Sequence, residues 1–343
     1  MLLAPAPHKA RDTLTQHRWT FLLMLLALLI IACVCSVMFG VRSISSGDAL
    51  QALLGHADTA EQAAAVKRLP RTVLGILVGA ALAVSGVTMQ AVTRNPLADP
   101  GIFGVLAGAS LAVVLGIAFF SLSNPVSTMI VAVAGAAGAA IFVYCVGSLG
   151  GSGATPLKLA LAGAATAAAL SSLVSAVLLP RLDVMDEFRF WQIGGIGGAE
   201  WDRMSMATPL LLSGFLLCWF CARGMNALAL GDDVATGLGE NVVRTRLISS
   251  MGAVILCGVA TSLAGPIAFV GLIIPHLCRL IMGTDHRWLI PTTAVAGAAL
   301  ILAADTVGRV ITHPGEIAVG IIMPLLGAPL FIWIIRRQKM REL

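Results

Sequence analysis

Residues 72–91 read TVLGILVGAALAVSGVTMQA, a run of twenty residues that contains no charged side chain. An α-helix rises about 1.5 Å per residue, so a run of this length spans the ~30 Å hydrocarbon core of a bilayer. Gly75 and Gly79 lie four residues apart and therefore share one face of that helix. Because small residues at this spacing let two membrane helices approach closely, the stretch predicts a transmembrane helix that packs tightly against others.

The rest of the chain has the same character. Of its 343 residues, 58% are hydrophobic and only 11% are charged, and the mean hydropathy is +0.94. A soluble domain carries roughly 25% charged residues, so the composition excludes a soluble enzyme, a disordered chain and a nucleic-acid-binding protein. Long apolar runs without the alternating polarity of an outer-membrane barrel predict an all-α polytopic membrane protein.

The apolar runs predict one transmembrane domain at residues 20–336, between a tail at 1–19 and a tail at 337–343. The stretch 180–203 is amphipathic and is expected to form an external loop with a short helix. The Gly194-Gly195-Ile196-Gly197-Gly198 run within it is expected to be a tight turn between helices. The ten predicted spans are 20–40, 70–91, 101–120, 126–147, 157–179, 204–222, 244–264, 267–283, 288–309 and 317–335.

The basic residues predict the orientation of these spans. With the N-terminus inside, fourteen of the 22 Lys and Arg residues fall on the inner side and eight on the outer side. This bias favours two cytoplasmic termini and an even number of spans. The outer arginines, among them Arg68, Arg71 and Arg309, oppose the bias and therefore require another explanation.

The chain shows no energy source of its own. A phosphate-binding loop needs Gly-Lys followed by Ser or Thr, and none of the four lysines follows a glycine. Ion-driven transporters usually carry ionisable groups deep within helices, and here Asp305 is the main example. Arg309 lies one helical turn later, so we expect an ion pair, with a proton relay at Asp305 as the alternative. His276 has no second ligand at helical spacing, and no metal site is predicted.

From about residue 40 onward, the chain contains several short sequence motifs that indicate more together and in this order than any one of them does alone. They are Arg68-Leu-Pro-Arg71, Gly79 to Gly86 with Gln90, Arg94-Asn-Pro-Leu-Ala-Asp-Pro100, Trp191 to Trp201, Leu228-Ala-Leu-Gly-Asp-Asp233 with Leu238-Gly239, Phe269-Val-Gly-Leu-Ile-Ile-Pro-His276 with Arg279, Gly283-Thr-Asp-His-Arg287, Asp305 with Arg309, and Gly327-Ala-Pro329. Together they resemble the FecCD/BtuC-like permease subunits of ATP-driven importers for iron–siderophore complexes, haem and vitamin B12. The resemblance implies a type II ABC importer permease fold, with about ten transmembrane helices in two inverted five-helix halves.

The residues of the polar loop 231–240 by themselves predict a local structure. Asp232 and Asp233 precede Val234, Ala235 and Leu238, a spacing that suits a short amphipathic helix with acidic residues at its start. Such a helix can place an apolar face in a groove of a partner. The resemblance implies that this loop couples the chain to a separate ATPase subunit. The implied coupling residues are Gly231, Asp232, Ala235, Leu238 and Gly239.

The resemblance also implies two further sites. Outer arginines at these positions are expected to meet acidic residues of a substrate-binding protein, with lipid phosphate binding or intrahelical capping as the alternative. The docking residues would be Arg68, Arg71 and Arg309, and the inner gate region would be Thr155, Pro156 and Leu157.

The implied function is import of a ferric siderophore across a bacterial cytoplasmic (inner) membrane by alternating access, with haem or vitamin B12 as alternative cargo. The implied partners are a second permease copy or paralogue, two ATPase subunits that carry ATP and Mg, and one extracytoplasmic substrate-binding protein. This chain would then be neither an enzyme nor the holder of a cofactor. An ion-coupled secondary transporter is a competing function, and an intramembrane enzyme is disfavoured because the sequence shows no paired nucleophile and base.

Overall fold

The computed structural model describes residues 8–40, 44–149, 155–312 and 315–339, and within these ranges it consists of helices and their connections. The helices are α1 His8–Met38, α2 Ser46–Leu53, α3 Ala60–Thr93, α4 Val105–Phe120, α5 Pro125–Gly147, α6 Pro156–Leu178, α7 Leu182–Ile193, α8 Trp201–Phe220, α9 Ala222–Leu228, α10 Asp232–Gly237, α11 Val242–Ala264, α12 Val270–Met282, α13 His286–Ile311 and α14 Val319–Lys339.

Ten apolar helices match the ten predicted spans. Seven of those in the described ranges are long and apolar enough to cross a membrane, namely α1, α3, α5, α6, α8, α11 and α13. The other three are shorter apolar helices, α4, α12 and the first part of α14. The structure also confirms a short helix, α7, within the stretch predicted as an amphipathic loop.

The start of α3 differs from the prediction, because the helix begins at Ala60 rather than at residue 70. Thr59 caps it, since its hydroxyl accepts the backbone N–H of Gln62 at 3.2 Å. The Gln62 side chain accepts the backbone N–H of Thr59 at 3.4 Å in return. Such a reciprocal cap satisfies two N–H groups that a helix start leaves unpaired, so α3 extends beyond its apolar run.

Helix α3 lies at the centre of the bundle and packs against α11, α12 and α13. A Cβ atom on Gly79 would overlap the backbone of Gly297 in α13, and one on Gly86 would overlap the backbone of Gly271 in α12. The predicted close packing of this helix is therefore confirmed. Gly104 falls within the predicted span 101–120, but it precedes α4 with φ +69° and does not lie in an α-helix.

Replacing Gly79 with alanine is expected to lower the free energy of unfolding by about 1–3 kcal/mol, because the methyl group would push α3 and α13 apart. The measurement is thermal unfolding of the detergent-purified protein. Gly138→Ala is the matched control, because Gly138 is exposed on α5 and a Cβ there would meet nothing within 4 Å. Equal stability of the two variants would contradict the packing role of Gly79.

The glycine-rich segment after α7 is the tight turn that the sequence predicts. The N–H of Gly195 donates to the carbonyl of Ala264 at 2.7 Å, and the N–H of Gly320 donates to the carbonyl of Gly194 at 3.1 Å. Gly194 has φ +72°, which other residues rarely adopt. The turn therefore joins the ends of α7 and α11 to the first turn of α14 by backbone bonds.

Two ion-pair networks as the candidate functional site

The predicted coupling loop forms a short helix between two glycine turns. Gly231 precedes α10 with φ +111°, and Gly239 follows it with φ +84°. Glycine is the residue that adopts these angles without steric cost, so both turns depend on it. The structure thus confirms the short helix with Asp232 at its start.

Asp232 anchors this helix to two long helices. Its carboxylate accepts hydrogen bonds from Arg246 in α11 at 3.1 and 3.3 Å, and it forms an ion pair with Arg94 at the end of α3. The Arg246 side chain is only 7% exposed, whereas Asp232 is 46% exposed. One carboxylate therefore pairs with two guanidinium groups and fixes α10 to α3 and α11.

The α10 segment exposes two large apolar side chains. Val234 is 50% exposed and Leu238 is 67% exposed. Ala235, the residue after Val234, is turned toward the protein and is completely buried. The prediction that Ala235 contacts a partner is therefore wrong. Val234, which the sequence reading did not select, has the exposure that such a contact requires.

The predicted gate residues form the start of α6. The Thr155 side chain accepts the N–H of Lys158 at 3.4 Å, and Pro156 occupies the first turn. Of the three residues, only Leu157 is strongly exposed, at 69%. The structure thus gives Thr155 and Pro156 roles in initiating a helix and leaves Leu157 accessible.

At the opposite end of the bundle, Asp305 lies at the centre of a second network. It is 1% exposed and forms the expected ion pair with Arg309, with Nε and Oδ2 separated by 3.0 Å. It also accepts hydrogen bonds from Arg71 in α3, the shortest of them at 2.8 Å. Arg71 reaches the exposed Glu316 at 2.7 Å. The sequence predicts the local Asp305–Arg309 pair but neither of the contacts of Arg71.

The arginines of this network also bind the end of α1. Arg309 donates to the carbonyls of Ser36 and Phe39 at 3.0 and 2.9 Å. Arg68 donates to the carbonyls of Val37 and Met38 at 2.8 and 3.2 Å. The last carbonyls of a helix lack partners within it, so these guanidinium groups satisfy acceptors that would otherwise remain unpaired.

Burial therefore corrects one predicted docking residue. Arg309 is 2% exposed and is held by Asp305 and by α1, so it does not reach a partner from this position. The Arg71 side chain is 14% exposed and already holds two carboxylates. Arg68 is half-buried. Arg68 and Arg309 cap the end of a different helix, α1, rather than their own helices as the intrahelical alternative predicts.

Most of the chain is similar to proteins of a known family. Residues 28–337 match the model of the FecCD transport family. The chain is 44% identical over 316 residues to the ferric enterobactin transport system permease protein FepD of Escherichia coli (strain K12), covering 92% of this chain and 94% of that protein. It is 40% identical over 277 residues to the hemin transport system permease protein HmuU of Yersinia pestis, covering 79% of this chain and 82% of that protein.

A solved structure has the same fold. It is described as an inward-facing conformation of a transporter assigned to the metal-chelate type of ABC transporter, and its chain aligns with a TM-score of 0.81 and 28% identity over 93% of this chain and 99% of that one. This likeness confirms the fold class predicted from the sequence. By the extent of the family match and the identity to its relatives, the chain belongs to the FecCD transport family.

Proposed function

We propose that this chain is the transmembrane permease subunit of a binding-protein-dependent ABC importer that moves an iron chelate across a bacterial cytoplasmic membrane. The observation that carries the proposal is the exposed apolar face of α10, at Val234 and Leu238, on a helix anchored through Asp232 to α3 and α11. A helix anchored in this way can place its apolar side chains in a groove of a partner and transmit the partner's movement to the bundle.

A ferric siderophore is the proposed cargo. The support is the 44% identity to the ferric enterobactin permease protein over almost the full length of both chains. Haem is the second candidate, because the hemin permease protein is 40% identical over a shorter shared length.

The proposed assembly places α10 and both chain termini on the cytoplasmic side. Two ATPase subunits would dock there and carry ATP and Mg, so that hydrolysis takes place outside this chain. One substrate-binding protein would dock at the opposite end, around the half-buried Arg68 and the exposed Glu316. Arg71 would act there from below the surface, by holding Glu316 in place.

A second permease copy or a paralogue would complete the path for the cargo. Helices α6 and α14 expose apolar side chains, such as Leu161 at 63% and Leu325 at 67%. Two such faces opposed across an axis would form an apolar wall that lets a bulky chelate pass without binding tightly. Alternating access would follow if the ATPase subunits bias the permease pair between two states.

The function is tested by reconstituting the chain in proteoliposomes with its ATPase and binding protein. We expect the loaded ferric siderophore to enter only when ATP is supplied, and hemin to enter more slowly. Uptake driven by an ion gradient in the absence of the ATPase would contradict the proposal.

Replacing Leu238 with aspartate is expected to lower the affinity for the ATPase about tenfold or more, because it places a charge in the apolar contact. Leu238→Met is the matched control, because it keeps an apolar side chain of similar volume at the same position. The measurement is co-purification and titration of the ATPase with each variant. Equal affinity of the two variants would remove α10 from the interface.

A further inference from the structure

A cleft lined in part by polar side chains lies beside α10, in the part of the protein that faces the proposed cytoplasmic side. It has a volume of about 220 Å³ and is bounded by the end of α3, the residue after α9 and the connection between α12 and α13. This is well above the roughly 10–15 Å³ that a single water needs. Five polar side chains line it, from Gln90, Arg94, Arg279, Thr284 and His286.

Arg279 brings a charge to this cleft that no carboxylate of the described residues pairs with. Its Nη2 atom donates to Oε1 of Gln90 at 2.9 Å. The guanidinium carries five N–H donors, so one neutral acceptor leaves most of them available. Holding such a partly buried cation without a counter-ion is costly, and an anion in the cleft would remove that cost.

His286 supplies an independent observation. It is 5% exposed, and its Nδ1 atom lies 2.7 Å from Oδ1 of Asn226. The amide group of Asn226 donates to Asp285 at 2.7 Å, so its oxygen faces the ring and Nδ1 carries the proton. The Nε2 atom is buried and has no hydrogen-bond partner among the described residues. A neutral imidazole in this tautomer presents an unused acceptor at Nε2.

The other charges near the cleft do not balance Arg279. Arg94 also lines the cleft, but its own partners are Asp232, which it shares with Arg246, and the neighbouring Asp233. The exposed hydroxyl of Thr284 adds a further group that can donate. The cleft therefore combines guanidinium donors and a hydroxyl, and Nε2 of His286 is a buried acceptor just beneath its lining.

We propose that this cleft binds a phosphate group that retains one hydroxyl. Guanidinium groups recognise phosphate oxygens by charge-assisted hydrogen bonds, which Arg279 and Arg94 would supply. The hydroxyl would donate to Nε2 of His286, which has no hydrogen-bond partner among the described residues, once a small movement of the lining exposes that atom. Free hydrogen phosphate, HPO4²⁻, has this chemistry, and so does the headgroup of phosphatidic acid when it carries one negative charge. Because Arg94 also anchors α10 through Asp232, an occupied cleft would stiffen the attachment of the coupling helix.

The test measures binding directly on the detergent-purified full chain. For the free ion, the readout is the shift in thermal unfolding midpoint with inorganic phosphate against chloride at equal ionic strength. For the lipid, the readout is retention of phosphatidic acid against phosphatidylcholine in native mass spectrometry. We expect one of the two ligands to bind, and Arg279→Gln to weaken it about tenfold or more, as the loss of a charged hydrogen-bond donor predicts.

Arg287→Gln is the matched control, because Arg287 is exposed, lies near Arg279 in the chain and does not line the cleft. It makes the same change of charge and is expected to leave binding unchanged. Thr284→Val provides a milder second variant if Arg279→Gln does not fold, and it is expected to weaken binding severalfold.

Binding of phosphate alone assigns the cleft to the free ion, and retention of phosphatidic acid alone assigns it to the lipid headgroup. Absence of both from the unmodified protein would overturn the proposal. Equal weakening by Arg279→Gln and Arg287→Gln would also overturn it, because it would indicate attraction to general positive charge. Loss of ATPase affinity in Arg279→Gln without any phosphate effect would place a partner carboxylate in the cleft instead.

Discussion

Replacing Asp305 with alanine is expected to lower the free energy of unfolding by about 3–5 kcal/mol, the usual cost of removing one partner of a buried ion pair. Asp305 is 1% exposed and is shared by Arg71 and Arg309, whose side chains are 14% and 2% exposed. Its removal would leave Arg309 buried without a counter-ion and Arg71 with Glu316 alone. The measurement is thermal or denaturant unfolding in detergent, with the loss expected mainly as a lower midpoint.

The matched control is Asp186→Ala. Asp186 forms an ion pair with Arg189 at 3.7 Å, but the two side chains are 74% and 63% exposed. An exposed pair contributes about 0–1 kcal/mol, so this variant is expected to remain close to the unmodified protein. The double variant Asp305→Ala/Arg309→Met is expected to recover part of the loss, because it also removes the stranded charge. Comparable stabilities for Asp305→Ala and Asp186→Ala would show that the buried network contributes little.

Replacing Asp232 with alanine is expected to reduce the stimulation of ATP hydrolysis by the loaded binding protein about 5–150-fold, the range of a typical coupling free energy between two sites. The reason is that Asp232 fixes α10 to Arg94 and Arg246, so its loss frees the helix from α3 and α11. The bundle itself is expected to stay folded, because Asp232 is 46% exposed and lies at its edge. The assay compares basal and stimulated hydrolysis in proteoliposomes of the complete complex.

Asp233→Ala is the control for this experiment. Asp233 is exposed and lies next to Asp232 in the first turn of α10, so both variants remove one negative charge from the same helix start. Only Asp232→Ala removes the ion pairs with Arg94 and Arg246 that fix α10. If both variants retained full stimulation, α10 would transmit nothing through this ion pair, and the coupling role would have to lie elsewhere.

The sequence predicts those parts of the fold and site that depend on local pattern. The ten apolar segments follow from run length, and the pair of Asp305 with Arg309 follows from helical spacing. The short α10 follows from its glycines and its acidic start. In each case, residues close together in the chain determine the outcome.

The local sequence pattern does not predict contacts between distant segments of the chain. Arg71 and Asp305 are 234 residues apart, and Arg94 and Asp232 are 138 apart, so their pairing depends on how the helices pack. The predicted excess of positive charge on the inner side marks the arginines assigned to the outer side as exceptions. The charge pattern does not show that Arg309 donates to the carbonyls at the end of α1. For this reason the sequence does not predict that the Arg309 side chain is buried.

Helix α3 carries Arg71 near one end of the bundle and Arg94 at its other end, so each network holds the same rod. At about 1.5 Å per residue, the two arginines are separated by roughly 35 Å along the axis. With its glycines pressed against the backbones of α12 and α13, this rod has little freedom to bend. A tilt imposed at one end would therefore displace the other end in the opposite direction, with the pivot at the glycine contacts to α12 and α13.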